Sequence, residues 1–201
     1  GVDDLTGGAG RDRLDGGDGW DSASYRLSEA RVDIDLAAGT ASGGDADGDT
    51  LLNIEGLTGS SYGDSLRGDA ANNYLAGRAG NDSLYGDEGS DILDGGAGDD
   101  FFESGAGADN LRGGADWDTA SYSGSDVGVN VNLATGVGQG GDAEGDTLSE
   151  IEVLIGSDYN DTLTSAAGET HIYGGLGIDR FEASEGGDYF DGGEGRDRIS
   201  Y

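Results

Sequence analysis

The chain of 201 residues contains no cysteine, no proline and no methionine. It has no lysine either, so arginine supplies all ten basic residues. The missing cysteines exclude disulfide staples and thiolate metal sites. The missing prolines mean that no turn has a preset φ and no strand lacks a ladder donor. Strong core formers are scarce too: Leu, Ile, Val and Phe total 36 residues, less than the roughly 20% below which a highly charged chain does not collapse unaided. With 42 acidic residues the net charge is −32, and its self-repulsion opposes any compact state. The same charge argues against nucleic acid, which needs a basic footprint, and against anionic membrane surfaces. No apolar run approaches the ~18 residues of a membrane-spanning segment. Such a chain is either an unstructured acidic linker or one that cations complete.

What the chain has in excess is glycine, 43 residues of it, and the glycines are periodic. Written in nines from Gly7, Gly59 and Gly156, the sequence yields fourteen complete nonapeptides, among them GGAGRDRLD, GDEGSDILD and GGLGIDRFE. The sixth position is Asp in all but two, where Asn73 and Thr170 stand, and the eighth is apolar in every one. Residues 1 to 6 fit as the tail of another unit, with Asp3 sixth. The glycine-rich half suits tight turns with positive φ and lets backbone carbonyls crowd together. The last three residues alternate polar, apolar, polar, as a short strand with one buried face does. Strands this short cannot stand alone. Stacking supplies the missing partners: two units make an eighteen-residue coil, and successive coils pair their strands as two parallel sheets around one thin core. The expected fold is all-β, a right-handed parallel β-roll, or β-solenoid, and carboxylates of successive coils should meet two units apart. That pairs Asp3 with Asp21, Asp64 with Asp82, Asp82 with Asp100, Asp91 with Asp109, Asp100 with Asp118, Asp161 with Asp179 and Asp179 with Asp197. Weaker pairs join Asn73 with Asp91 and Thr170 with Asp188.

The pattern Gly-Gly-x-Gly-x-Asp-x-apolar-x resembles that of the repeats-in-toxin (RTX) family, the hemolysin-type calcium-binding nonapeptide repeats. The resemblance implies several Ca²⁺ ions held between coils by the Asp carboxylates and turn carbonyls. All-oxygen donor sets of this kind suit a hard cation, and Ca²⁺ tolerates irregular geometry that Mg²⁺ resists. The candidate metal ligands are Asp3, Asp12, Asp21, Asp64, Asp82, Asp91, Asp100, Asp109, Asp118, Asp161, Asp179, Asp188 and Asp197, with Asp49 and Asp146 from a disguised repeat described below. The resemblance further implies export by type 1 secretion, folding outside the cell where calcium is plentiful, and a structural or adhesive role rather than catalysis. The chain begins in mid-repeat and stops at Tyr201 on the first residue of a new insert, so an internal, monomeric piece of a larger secreted bacterial protein is expected.

The nine-residue period lapses twice, over 25–58 and 122–155, and the two 34-residue inserts agree at 17 positions. They divide the chain into repeats 1–24, an insert, seven nonapeptides over 59–121, a second insert, and five nonapeptides over 156–201. Each insert opens on the tyrosine that closes a recurring phrase, GGDGWDSASY or GGADWDTASY, and carries a strictly alternating strand signal, VDIDL or VNVNL. Each also hides a repeat, GDADGDTLL or GDAEGDTLS, with Asp49 or Asp146 sixth. The expectation is a wider coil that stays in the solenoid. Counting edges back from Gly59 sets Asp49 beside Asn73 and Asp146 beside Thr170, so Asp45, Asp47, Asp142 and Glu144 would replace the ligands those two turns lack.

Other motifs carry less. DADGD at Asp45–Asp49 starts like an EF-hand loop, but Thr50 stands where the loop needs glycine and Glu55 falls one place early. GSSYG at Gly59–Gly63 matches a nucleophile elbow, yet it lies within a repeat, and the one histidine, His171, takes an outward position. Outward Arg67, Arg112, Arg180 and Arg198, with Tyr74, Tyr85, Tyr173 and Tyr189, raise an alternative function: an accessory module of a carbohydrate-active enzyme that binds an extracellular acidic polysaccharide.

Overall fold

The computed structural model describes all residues, 1–201. It contains 25 strands, mostly of three residues, two short 3₁₀ turns and no α-helix. The strands form one sheet of twelve, one of eleven and a two-stranded ribbon. The chain alternates between the two large sheets, and the parallel register steps by eighteen: Leu66 pairs with Leu84 and Leu84 with Phe102 in one sheet, Leu75 with Leu93 and Leu93 with Leu111 in the other. This is the parallel β-roll.

Strand alternation explains what lies inside. If the eighth residue faces inward, so do the sixth and the first of the next unit. Asp64, Leu66 and Gly68 are buried in turn, as are Asp82, Leu84 and Gly86. The eighth-position residues, together with insert side chains such as Tyr25, Val32, Tyr122 and Val129, form one continuous core of 27 buried apolar residues. Phe190 is only partly covered, and Ile199 in the last coil is 45% exposed because no further coil lies over it. Each fully buried Leu supplies roughly 1.5–3 kcal/mol.

The inserts stay in the solenoid, but not as wider coils. In the first, strand Asp33–Asp35 folds back antiparallel on Thr40–Ser42, which lies against Thr50–Leu52. The outer strands of this meander then pair parallel with their neighbours, Leu51 with Leu14 and Ile34 with Leu66. The second insert repeats the arrangement through Asn130–Asn132, Val137–Gln139 and Thr147–Ser149, with Leu148 paired to Leu111 and Val131 to Leu163. Each hairpin adds two strands to one sheet and none to the other. The first enters the eleven-stranded sheet and the second the twelve-stranded one. The reason is parity: seven nonapeptides separate the inserts, and each crosses the roll once.

The edge count across the inserts is corrected by a repeat that the nine-residue frame does not reveal. TLLNIEGLT, Thr50–Thr58, places Glu55 sixth and Leu57 eighth, and TLSEIEVLI, Thr147–Ile155, does the same with Glu152 and Leu154. Each overlaps the preceding unit by three residues. Only residues 53–55 link strand Thr50–Leu52 to Gly56–Thr58, whereas six residues link Ser65–Arg67 to Tyr74–Ala79. Asn53 and Glu150 take positive φ, 52° and 56°, in these short turns. This extra crossing puts Asp49 beside Asp12 and Asp146 beside Asp109. Neither meets Asn73 or Thr170.

Candidate metal centre

Two ladders of sixth-position side chains run the length of the roll. In each rung, carboxylate Oδ1 accepts the backbone N–H of the sixth residue one coil earlier. Asp82 accepts from Asp64 at 2.7 Å, Asp100 from Asp82 at 2.8 Å, and Asp118 from Asp100 at 2.9 Å. On the other edge Asp91 accepts from Asn73 at 2.7 Å, and Asp109 from Asp91 at 2.8 Å. Asp21, Asp179 and Asp197 accept from Asp3, Asp161 and Asp179. Thr170 reaches Asp188 through its hydroxyl at 2.7 Å. Every pair expected at eighteen residues is therefore formed.

The second carboxylate oxygen is the notable one. Oδ2 of Asp12, Asp21, Asp82, Asp91, Asp100, Asp109, Asp118 and Asp179 is buried and has no hydrogen-bond partner. Seven of the eight fold back over the first glycine of their own turn, and Asp109 belongs to a unit that opens on Ser104 instead. At Gly77 or Gly95 an added Cβ would overlap the carboxylate of Asp82 or Asp100, which is why the repeat opens on glycine. The turns themselves stack carbonyl on glycine: Gly98, at φ 117°, lies so close to the Gly80 carbonyl that a side chain would strike it. A buried, unpartnered acceptor is costly, and a charged one more so.

Electrostatics sharpens the point. Burial, only partly offset by the accepted N–H, pushes Asp82, Asp91 and Asp179 up to about 6, and Asp100, Asp109 and Asp118 up to about 7. Neighbouring carboxylates in the ladder add to the rise, as Asp82 does for Asp100 and Asp100 for Asp118. Without a cation these carboxylates resist ionising. No group of three or more His, Cys, Asp or Glu side chains converges on one point. A bound ion must therefore draw on one or two carboxylates and the crowded turn carbonyls, a hard all-oxygen donor set that fits Ca²⁺.

The remaining candidates divide. Glu55 occupies the rung between Asp21 and Asn73: its Oε2 accepts the Asp21 N–H at 2.8 Å, and its carbonyl accepts the Tyr74 N–H. Glu152 does the same between Asp118 and Thr170. The longer side chain spans the shortened turn. Neither was a candidate ligand, and a repeat frame allowed to slip by three residues would have found both. Asp45, Asp47, Asp142 and Glu144 do not complete the Asn73 or Thr170 turns. Asp45 and Asp142 take their N–H groups to Ser28 and Ser125 within the inserts. Asp47 is exposed, and Glu144 binds the N–H of Gly140.

Ser61 and His171 are not partners. The strands that follow their turns lie five places apart in one sheet, about 24 Å at roughly 4.8 Å per strand. The His171 ring instead lies between Trp117, at 4.9 Å, and Tyr189, at 5.4 Å.

No curated protein matches the chain. The family model for the RTX calcium-binding nonapeptide repeat matches residues 1–23, 58–93, 94–126, 146–180 and 166–199. Most of both inserts falls between these matches. With well over half of the chain matched, and with the carboxylate ladders in the places the repeat requires, the chain belongs to the RTX calcium-binding nonapeptide repeat family.

Proposed function

We propose that this chain is a calcium-driven folding module of a secreted bacterial protein, crossing the membrane unfolded by type 1 secretion and closing into a roll outside the cell as a structural or adhesive element. The observation that carries this reading is the row of eight buried Oδ2 atoms without partners. Each is costly in the folded chain unless a cation meets it. Calcium then acts as folding free energy, because the unfolded chain holds no preformed site. Extracellular modules bind with constants of about 10⁻⁴ to 10⁻³ M, so ions fill outside and stay absent in the cytosol. Circular dichroism tests it. A chelated sample should show little β structure, and about 10 mM calcium, some tenfold above the weaker constant, should restore it. Identical spectra in the two conditions would refute the reading.

A second reading, binding of a polysaccharide, is favoured by one feature: Trp117, His171, Tyr189 and Tyr173 form a continuous aromatic strip with centroids 4.9–5.9 Å apart. Its cationic half is weaker. Arg67, Arg112 and Arg180 already pair with Asp87, Glu150 and Glu182. A glycan array on the calcium-loaded chain separates the two readings.

A further inference from the structure

The family pattern treats sixth-position carboxylates alike, but their hydrogen bonds do not. At Asp49 the oxygen that is bare in eight other repeats receives the Tyr25 hydroxyl at 3.0 Å. At Asp146 it receives the Tyr122 hydroxyl at 2.9 Å and the Ser104 hydroxyl at 3.2 Å. Both tyrosines are only 2% exposed, so their rings fill the space beside the carboxylate. The first nonapeptide after each insert shows a second version. Serine replaces the second glycine there, and Ser60 donates its N–H to one Asp64 oxygen at 2.5 Å and its hydroxyl to the other at 2.8 Å. Ser157 does the same to Asp161, at 2.8 Å for both.

A donor proton and a cation compete for the same carboxylate lone pairs, and a donor already built into the chain needs no ion. We propose that the two inserts are ion-free seams, at which Tyr25 and Tyr122 stand in for calcium at Asp49 and Asp146, and Ser60 and Ser157 stand in for it at Asp64 and Asp161. Calcium is then confined to the runs of plain repeats on either side of each seam. The inference rests on the calcium reading above and limits it. It also accounts for the tyrosine that closes GGDGWDSASY and GGADWDTASY: the first residue of each insert carries the hydroxyl that the insert's aspartate requires.

Native mass spectrometry of the calcium-loaded chain, counting ions, tests it. The double variant Asp49→Asn, Asp146→Asn should bind as many ions as the unaltered chain, whereas Asp82→Asn, Asp100→Asn should lose at least one. Loss from the first variant as well would overturn the seam proposal while leaving the calcium reading intact. Loss from neither, or no bound calcium at all, would overturn both. A long-wavelength anomalous difference map of the unaltered chain crystallised with calcium does not depend on any variant folding. Peaks are expected beside Asp82 and Asp100. A peak within about 2.6 Å of a carboxylate oxygen of Asp49, Asp64, Asp146 or Asp161 would overturn the seams, that being the limit of a calcium–oxygen bond.

Discussion

At the scale of the residue, each nonapeptide depends on two side chains and the lack of a third. The apolar eighth residue makes the core, the aspartate two places earlier faces the same way, and the first glycine leaves room for its outer oxygen. The glycine is thus as specific as the acid. At Gly95 a Cβ would collide with the Asp100 carboxylate, while at Gly187 it would meet nothing within 4 Å. Gly95→Ala should therefore lower the thermal midpoint in calcium, by an amount corresponding to about 1–3 kcal/mol, the usual range for forced overpacking. It should also weaken calcium binding, since the displaced carboxylate can no longer meet its ion. Gly187→Ala should leave both unchanged. Equal midpoints for the two variants, by scanning calorimetry in saturating calcium, would show that the carboxylate does not need the space the first glycine leaves.

At the scale of the element, a three-residue strand and its turn act only as part of a ladder, and the ladder fixes the sign of the pH response. Asp100 and Asp118 rise from 3.8 to about 7 on folding. A pKa raised in the folded state means that ionisation opposes folding. In chelator, the stability associated with these groups is therefore fully present below about pH 4 and is lost as the pH climbs through 7. On the calcium reading proposed above the order reverses in calcium, because the ionised carboxylate would then be the ligand and protons compete with the metal. Circular dichroism should show β structure gained on acidifying a chelated sample from pH 8 to 5, while the half-saturating calcium concentration rises over the same range. A chelated sample that loses structure on acidification would contradict this assignment of the burial effect. The strands and the eighteen-residue pairing were legible in the sequence, because period nine and period two each leave a direct mark on residue type. The hairpins were legible only as the alternation in VDIDL and VNVNL. Glu55 and Glu152 were hidden because their units share three residues with the one before, and a fixed frame passes over a shortened turn. The role of Tyr25 was visible as recurrence but not as chemistry, since its partner Asp49 lies 24 residues on and meets it only once the hairpin has folded.

At the scale of the whole molecule, the net charge of −32 leaves the roll in need of counterions, and the inserts are expected to steer its course. Each hairpin widens one sheet by two strand spacings, about 10 Å at roughly 4.8 Å per strand, and leaves the other unchanged. That is a wedge, and a wedge in one of two facing sheets turns the axis of the stack. The two hairpins lie in opposite sheets, so their turns oppose one another. Parity alone sets this. Removing the single nonapeptide Gly86–Asp94 leaves six units between the inserts and brings both wedges onto one sheet; removing Gly86–Glu103 takes out one full coil and keeps them opposed. In small-angle X-ray scattering with saturating calcium, the nine-residue deletion should therefore have the smaller maximum dimension although it is the longer chain. The eighteen-residue deletion should shorten the particle by only about one strand spacing, roughly 5 Å. Maximum dimensions that simply follow chain length would mean that the extra strands are absorbed by tilt within their sheet, and that the inserts do not steer the roll.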